Sequence, residues 1–168
     1  MLWIRLAVVL FSVSALLADQ HSVDSDPNAD FSKYHTFAIR QGNINAKRPE
    51  LNSPLVRQRL EDAIREQLTN RGLQADPQRP DLIVNFRLGA ASKREVQSWP
   101  AGRWGRGRRT ETYRFTEGTL VIDLLERQGR ELVWRGIYTD EEKDAAKLSQ
   151  KLTDDVKKLF ENYPPKKK

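Results

Sequence analysis

The 168-residue chain contains no cysteine. That excludes disulfides, thiolate metal sites, a cysteine nucleophile and a lipid anchor on cysteine. Histidine is nearly as scarce. His21 and His35 are the two present, and no His-x-x-His or His-Glu-x-x-His spacing exists. A Gly-x-Ser-x-Gly nucleophile elbow is missing. Gly102, Gly105 and Gly107 stand in the wrong order for a dinucleotide fingerprint, and no Lys-Ser/Thr pair makes them a phosphate loop. There is no internal repeat, and outside the N-terminus no apolar run approaches the length of a membrane span. What remains is a polar globular composition, 38% hydrophobic and 31% charged, long enough for one domain with a real core.

Residues 1–18 read as a secretory leader. Arg5 charges a short n-region, and Leu6–Leu17 is an apolar stretch too short to cross a bilayer as a helix. Cleavage is expected after Ala18 or after Ala15. Residues 19–165 then form a single domain, followed by the basic tail 166–168. Localisation is expected to be the periplasm or the outer membrane surface, with no span left after leader removal.

Charge is unevenly placed. The chain carries +6 overall, and residues 93–114 hold seven basic and two acidic side chains. Beyond that segment and the leader, 21 charges of each sign balance. Arg94, Trp99, Arg103, Trp104, Arg106, Arg108 and Arg109 interleave guanidinium groups with indoles, a pattern suited to anionic and flat partners. An exported protein meets anionic lipid or glycan rather than nucleic acid. The plainer alternative is a solvated loop.

Periodicity predicts the elements. Phe31–Ile39 alternates as a first strand, and residues 40–52 read as loop. A helix is capped by Ser53, opens on Pro54 and stops at Gly72, with Val56, Leu60, Ala63, Ile64, Gln67 and Leu68 as its buried stripe and Glu61–Arg65 as an outer pair. Asp81–Leu88 is a strand burying Leu82, Val84, Phe86 and Leu88. Residues 93–99 and 110–116 form a hairpin with a long basic tip. A second hairpin, Thr119–Leu125 with Glu131–Tyr138, turns at Gln128-Gly129. That turn sets Asp123 opposite Trp134 and Leu120 opposite Ile137. Leu120, Ile122, Leu124, Val133 and Ile137 then seat helices, while Thr119, Asp123, Trp134 and Tyr138 form an amphipathic outer face. A last helix runs from about Asp140 to Asn162 on Ala145, Leu148, Leu152, Val156, Leu159 and Phe160. The order β-α-β-β-β-β-α predicts an α+β two-layer sandwich, its mostly antiparallel sheet of about five strands carrying both helices on one face.

Two further constellations bear on chemistry. Asp81 and Asp123 are the available carboxylate pair for a hydrolase, against a structural reading of each. Asp24, Asp26, Asn28 and Asp30 have the odd-position oxygens of a calcium loop. They lack its glycine and its bidentate glutamate, so a turn-forming lead-in competes with a weak Ca²⁺ site.

The stretches Asp30–Ala38, Pro80–Val84, Glu117-Gly118-Thr119 through Asp123, and Leu132–Gly136 with Trp134-Arg135-Gly136 carry a resemblance. Across roughly residues 22–164 the chain resembles the bacterial envelope family DUF4136, a domain of unknown function found in many predicted lipoproteins. The resemblance implies an envelope location and no established activity, catalytic residue or cofactor. Residue 19 is aspartate where such lipoproteins often carry the acylated cysteine, so an unlipidated protein is expected. The expectation is a non-enzymatic envelope protein binding an anionic component through residues 94–109. The alternative is an envelope adaptor using the Trp134/Tyr138 face or a sheet edge to hold a partner protein.

Overall fold

A computed structural model describes residues 20–46, 48–89, 93–101, 107–115, 118–140 and 144–165. For residues 93–101 and 107–115 the description is of the backbone. Residues 1–18, expected to be a leader, residues 166–168 and Glu117 lie outside the described residues.

Among the described residues, eight strands and two α-helices follow in chain order: β1 (Gln20–Ser25), β2 (Thr36–Asn45), α1 (Pro54–Thr69), β3 (Gln74–Ala75), β4 (Leu82–Gly89), β5 (Lys93–Ala101), β6 (Gly107–Phe115), β7 (Thr119–Glu126), β8 (Leu132–Thr139) and α2 (Ala145–Phe160). Six strands form one sheet in the order β1-β8-β7-β4-β2-β3, and β5 with β6 makes a separate two-stranded ribbon. The fold is α+β with two helices, as the periodicity predicts, but the sheet is larger than five strands and mixed. β2 runs parallel to both β4 and β3, while the other pairs are antiparallel. The cause is the helix between the first two long strands. A crossover of α1's length returns the chain in its original direction, which gives a parallel neighbour.

α1 and β4 form as their sequences predict. Ser53 Oγ accepts the Leu55 amide, Pro54 opens the helix, and the expected stripe is buried. Arg65, however, pairs with Asp62 at 2.6 Å rather than with Glu61. β4 alternates buried and half-buried positions along its whole length. The first long strand starts later than predicted. Asp30 caps a 3₁₀ turn at Phe31–Lys33, and the strand proper runs on to Asn45 through residues expected to be loop. α2 begins at Ala145, where Asp144 accepts the amides of Ala146 and Lys147. The lead-in is itself a strand, β1, hydrogen-bonded along β8.

The β7–β8 hairpin differs in register. Leu125 stands opposite Leu132, but Leu124 then pairs with Trp134, Asp123 with Arg135 rather than Trp134, and Leu120 with Tyr138 rather than Ile137. The shift at Leu124/Leu125 leaves Val133 as the extra residue of a bulge. A one-residue slip exchanges the faces of everything beyond it. Trp134 and Tyr138 therefore belong to the core and not to an outer face; each is 0% exposed. Trp134 stacks on Phe160 of α2 with ring centroids 4.9 Å apart, and Lys158 Nζ donates to Tyr138 Oη at 3.1 Å. Gly136 makes the stacking possible. A Cβ there would meet Trp134 Cη2 at 2.7 Å and Leu159 Cδ2 at 3.2 Å. Arg71 ties the ends of the helices together, donating to the carbonyls of Gln67, Phe160 and Tyr163.

Candidate functional site

The basic segment folds as the ribbon. β5 and β6 pair antiparallel from Lys93↔Phe115 to Ala101↔Gly107, so the connection shortens to residues 102–106. Arg103, Trp104 and Arg106 lie in that connection, outside the described residues. Arg94, Trp99, Arg108 and Arg109 lie on the paired strands. Register sets Arg94 opposite Arg114 and Trp99 opposite Arg109. Positions directly opposite in an antiparallel pair belong to one face of the ribbon.

Asp123 and Asp81 are separated. Leu82, next to Asp81, pairs with Glu126, whereas Asp123 pairs with Asn85. At about 3.3 Å per residue, the two aspartates sit more than about 10 Å apart along the sheet. Each is also committed elsewhere. Asp123 Oδ1 accepts Arg135 Nε at 2.5 Å, and Oδ2 accepts Arg135 Nη2 at 2.8 Å and Arg87 Nη2 at 3.1 Å. Both Asp123 and Arg135 are buried, on the sheet face away from the helices. Asp81 Oδ2 accepts three bonds of 2.9 Å, from the amides of His35 and Thr36 and from Thr36 Oγ1. Burial pushes the Asp81 carboxyl up, but those three donors together outweigh it and hold the group below the usual carboxylate range. The sheet register does not bring the two carboxylates together, and each is held by its own partners.

The calcium-like stretch is used for local turns. Asp24 accepts the Ser25 amide, Asp26 accepts the Asn28 amide and side chain, and Asp30 accepts Ser32. Among the described residues, no group of three acidic or histidine side chains is placed to hold a metal.

The motif residues cluster in the β7–β8 frame. Gly118 has a φ of +93°, and any Cβ there would run into the Asp140 carbonyl. Thr119 Oγ1 lies 3.4 Å from Thr139 Oγ1. Asp123–Arg135 is the buried ion pair, and Trp134 lies over Gly136. These residues build the fold.

One site has no counterpart in the sequence reading. A cleft of about 360 Å³ opens at the sheet end where β4 begins and β7 finishes. Lys33, Tyr34, Pro80, Asp81, Glu126 and Arg127 line it. Lys33 Nζ donates to Glu126 Oε1 at 2.8 Å and sits 5.1 Å from the centroid of the Tyr34 ring. That bond to Glu126 raises the Lys33 ammonium above its ordinary value, and burial raises the Tyr34 hydroxyl. Ninety-three positions separate Lys33 from Glu126, so no local pattern announces the cleft.

Fold and site together define a two-layer α+β domain whose most regular chemistry is structural, with a charge-rich ribbon outside the main sheet. Residues 21–165 match the family described as "Domain of unknown function (DUF4136)", and the chain belongs to that family. No curated protein matches the sequence. Among solved structures, the chain is similar to a PDZ domain protein from Parabacteroides distasonis, at 16% identity and a TM-score of 0.55. The match covers 89% of this chain but 37% of that one, so this chain spans little more than a third of that structure's length. The PelC dodecamer from Paraburkholderia phytofirmans is also similar, at 12% identity, with 85% and 95% of the two chains covered and a TM-score of 0.49. At these identities the likeness is one of fold.

Proposed function

We propose that this protein is a non-enzymatic, exported component of the cell envelope that binds an anionic envelope lipid or glycan through its arginine- and tryptophan-rich ribbon. The observation that carries the reading is where the charge sits. All the net charge of the chain beyond residues 1–18 falls within residues 93–114, and of these residues 93–101 and 107–114 pair as a ribbon of their own, outside the six-stranded sheet. The ribbon's register brings two arginine positions, 94 and 114, opposite each other, and an anionic partner suits that concentration of positive charge. Neighbouring tryptophans supply the flat apolar surface that holds a headgroup or sugar ring against the guanidinium groups.

The test is co-sedimentation with vesicles, half of them containing phosphatidylglycerol and half purely zwitterionic. The protein should pellet with the anionic vesicles and lose binding as salt rises. The variant carrying Arg103→Ser, Arg106→Ser, Arg108→Ser and Arg109→Ser should stay in solution. Equal pelleting of the variant refutes the reading. A second reading, an adaptor that engages a partner protein, keeps only its sheet-edge form, because Trp134 and Tyr138 are core residues. Its support is β1, whose outer edge carries no further strand in the described sheet and whose Val23 is 38% exposed.

A further inference from the structure

The cleft beside Lys33 combines three features that neither the ribbon nor the sheet edge uses. Its volume falls in the range of small-molecule sites, roughly 300–1,000 Å³. Its charges balance, with Asp81 and Glu126 facing Lys33 and Arg127. Tyr34 and Pro80 supply apolar wall.

The individual groups are differently committed. Glu126 is occupied by Lys33. Asp81 spends one oxygen on β2, and among the described residues no hydrogen bond reaches the other, Oδ1. Its charge is fixed by the donors around it, so a negative group stands in the cleft at neutral pH. Arg127 is exposed at the β7–β8 turn and its side chain forms no ion pair among the described residues. Lys33 is half exposed and can turn toward a second acceptor. A simple anion entering here meets two carboxylates, and a simple cation meets an ammonium and a guanidinium. A molecule carrying an ammonium and a carboxylate on one carbon satisfies both sets.

We infer that this cleft is a binding site for a small zwitterion of the α-amino acid class. The ligand's ammonium lies toward Asp81 Oδ1, its carboxylate toward Arg127 and Lys33, and an apolar side chain lies along the Tyr34 ring and Pro80.

The test is an NMR titration of the ¹⁵N-labelled protein with three probes of one shape: L-leucine, L-leucine methyl ester, which keeps only the positive charge, and N-acetyl-L-leucine, which keeps only the negative one. L-leucine should give saturating amide shifts at residues 33–34, 81 and 126–128, with a Kd between roughly micromolar and millimolar. Each single-charge analogue should bind about tenfold more weakly. Arg127→Gln, a change at an exposed turn, should weaken L-leucine several-fold while leaving the rest of the spectrum in place. Absence of saturating shifts with L-leucine overturns the inference. So does equal affinity for the three probes, or an Arg127→Gln variant that binds as the parent does.

Discussion

Replacing Asp123 with alanine removes one carboxylate from between two guanidinium groups. The Arg135 side chain is 2% exposed and that of Asp123 5%, so the pair is screened from water, and it is joined by two bonds of 2.5 and 2.8 Å. Arg87 adds a third at 3.1 Å from a side chain that is 22% exposed. Breaking a buried ion pair from one side costs about 3–5 kcal/mol, because the charge left behind stays desolvated. Against a total stability of roughly 5–15 kcal/mol, that is a large share. With a urea slope of about 2 kcal/mol/M, the midpoint should fall by about 2 M. Tryptophan fluorescence follows the transition, since Trp134 is in the core. Asp62→Ala is the control. It breaks the exposed Arg65 pair, whose side chains are 49% and 57% exposed, and such pairs contribute about 0–1 kcal/mol. Similar losses for the two variants, or a loss below about 1 kcal/mol for Asp123→Ala, would refute the assignment of Asp123–Arg135 as a structural pair.

Gly136→Ala should cost about 1–3 kcal/mol in the same urea assay, because its methyl group falls 2.7 Å from Trp134 Cη2 and must displace the stack on Phe160; unchanged stability would mean the indole does not lie over Gly136. Asp81 supplies a pH dependence. Its folded-state carboxyl is held below the unfolded value of about 3.9, so its contribution is complete above that pH and is lost as pH falls through the lower folded value. The stability gap between the parent protein and Asp81→Asn should therefore be widest near neutrality and close at pH below about 4, measured as thermal midpoints across a pH series. A gap of constant size at every pH would contradict that role.

Much of the frame is legible in local sequence. α1 follows from Ser53, Pro54 and a stripe at helical spacing, and β4 from strict alternation. β1 was not legible, because QHSVDS has the polar composition of a lead-in and becomes a strand only through the edge that β8 offers. Parallel pairing of β2 with β4 is a property of the crossover and is absent from either strand alone. The face of Trp134 departs from simple alternation for a related reason. Alternation assigns faces only if register is kept, and the bulge at Val133 is decided by how Trp134 packs under α2. At the site level, the ribbon's charge is visible by counting. The cleft is invisible because Lys33, Asp81 and Glu126 come from three distant stretches joined only by tertiary folding.

The binding claim can be tested most directly by site-specific photocrosslinking in the envelope of the native cell. One crosslinker replaces Trp104, between β5 and β6 in the sequence, and another replaces Val23 on β1. If the ribbon is the binding surface, position 104 captures anionic lipid or glycan and position 23 captures neither. A partner protein captured at position 23, with nothing captured at 104, would contradict it and establish the sheet edge as the working surface.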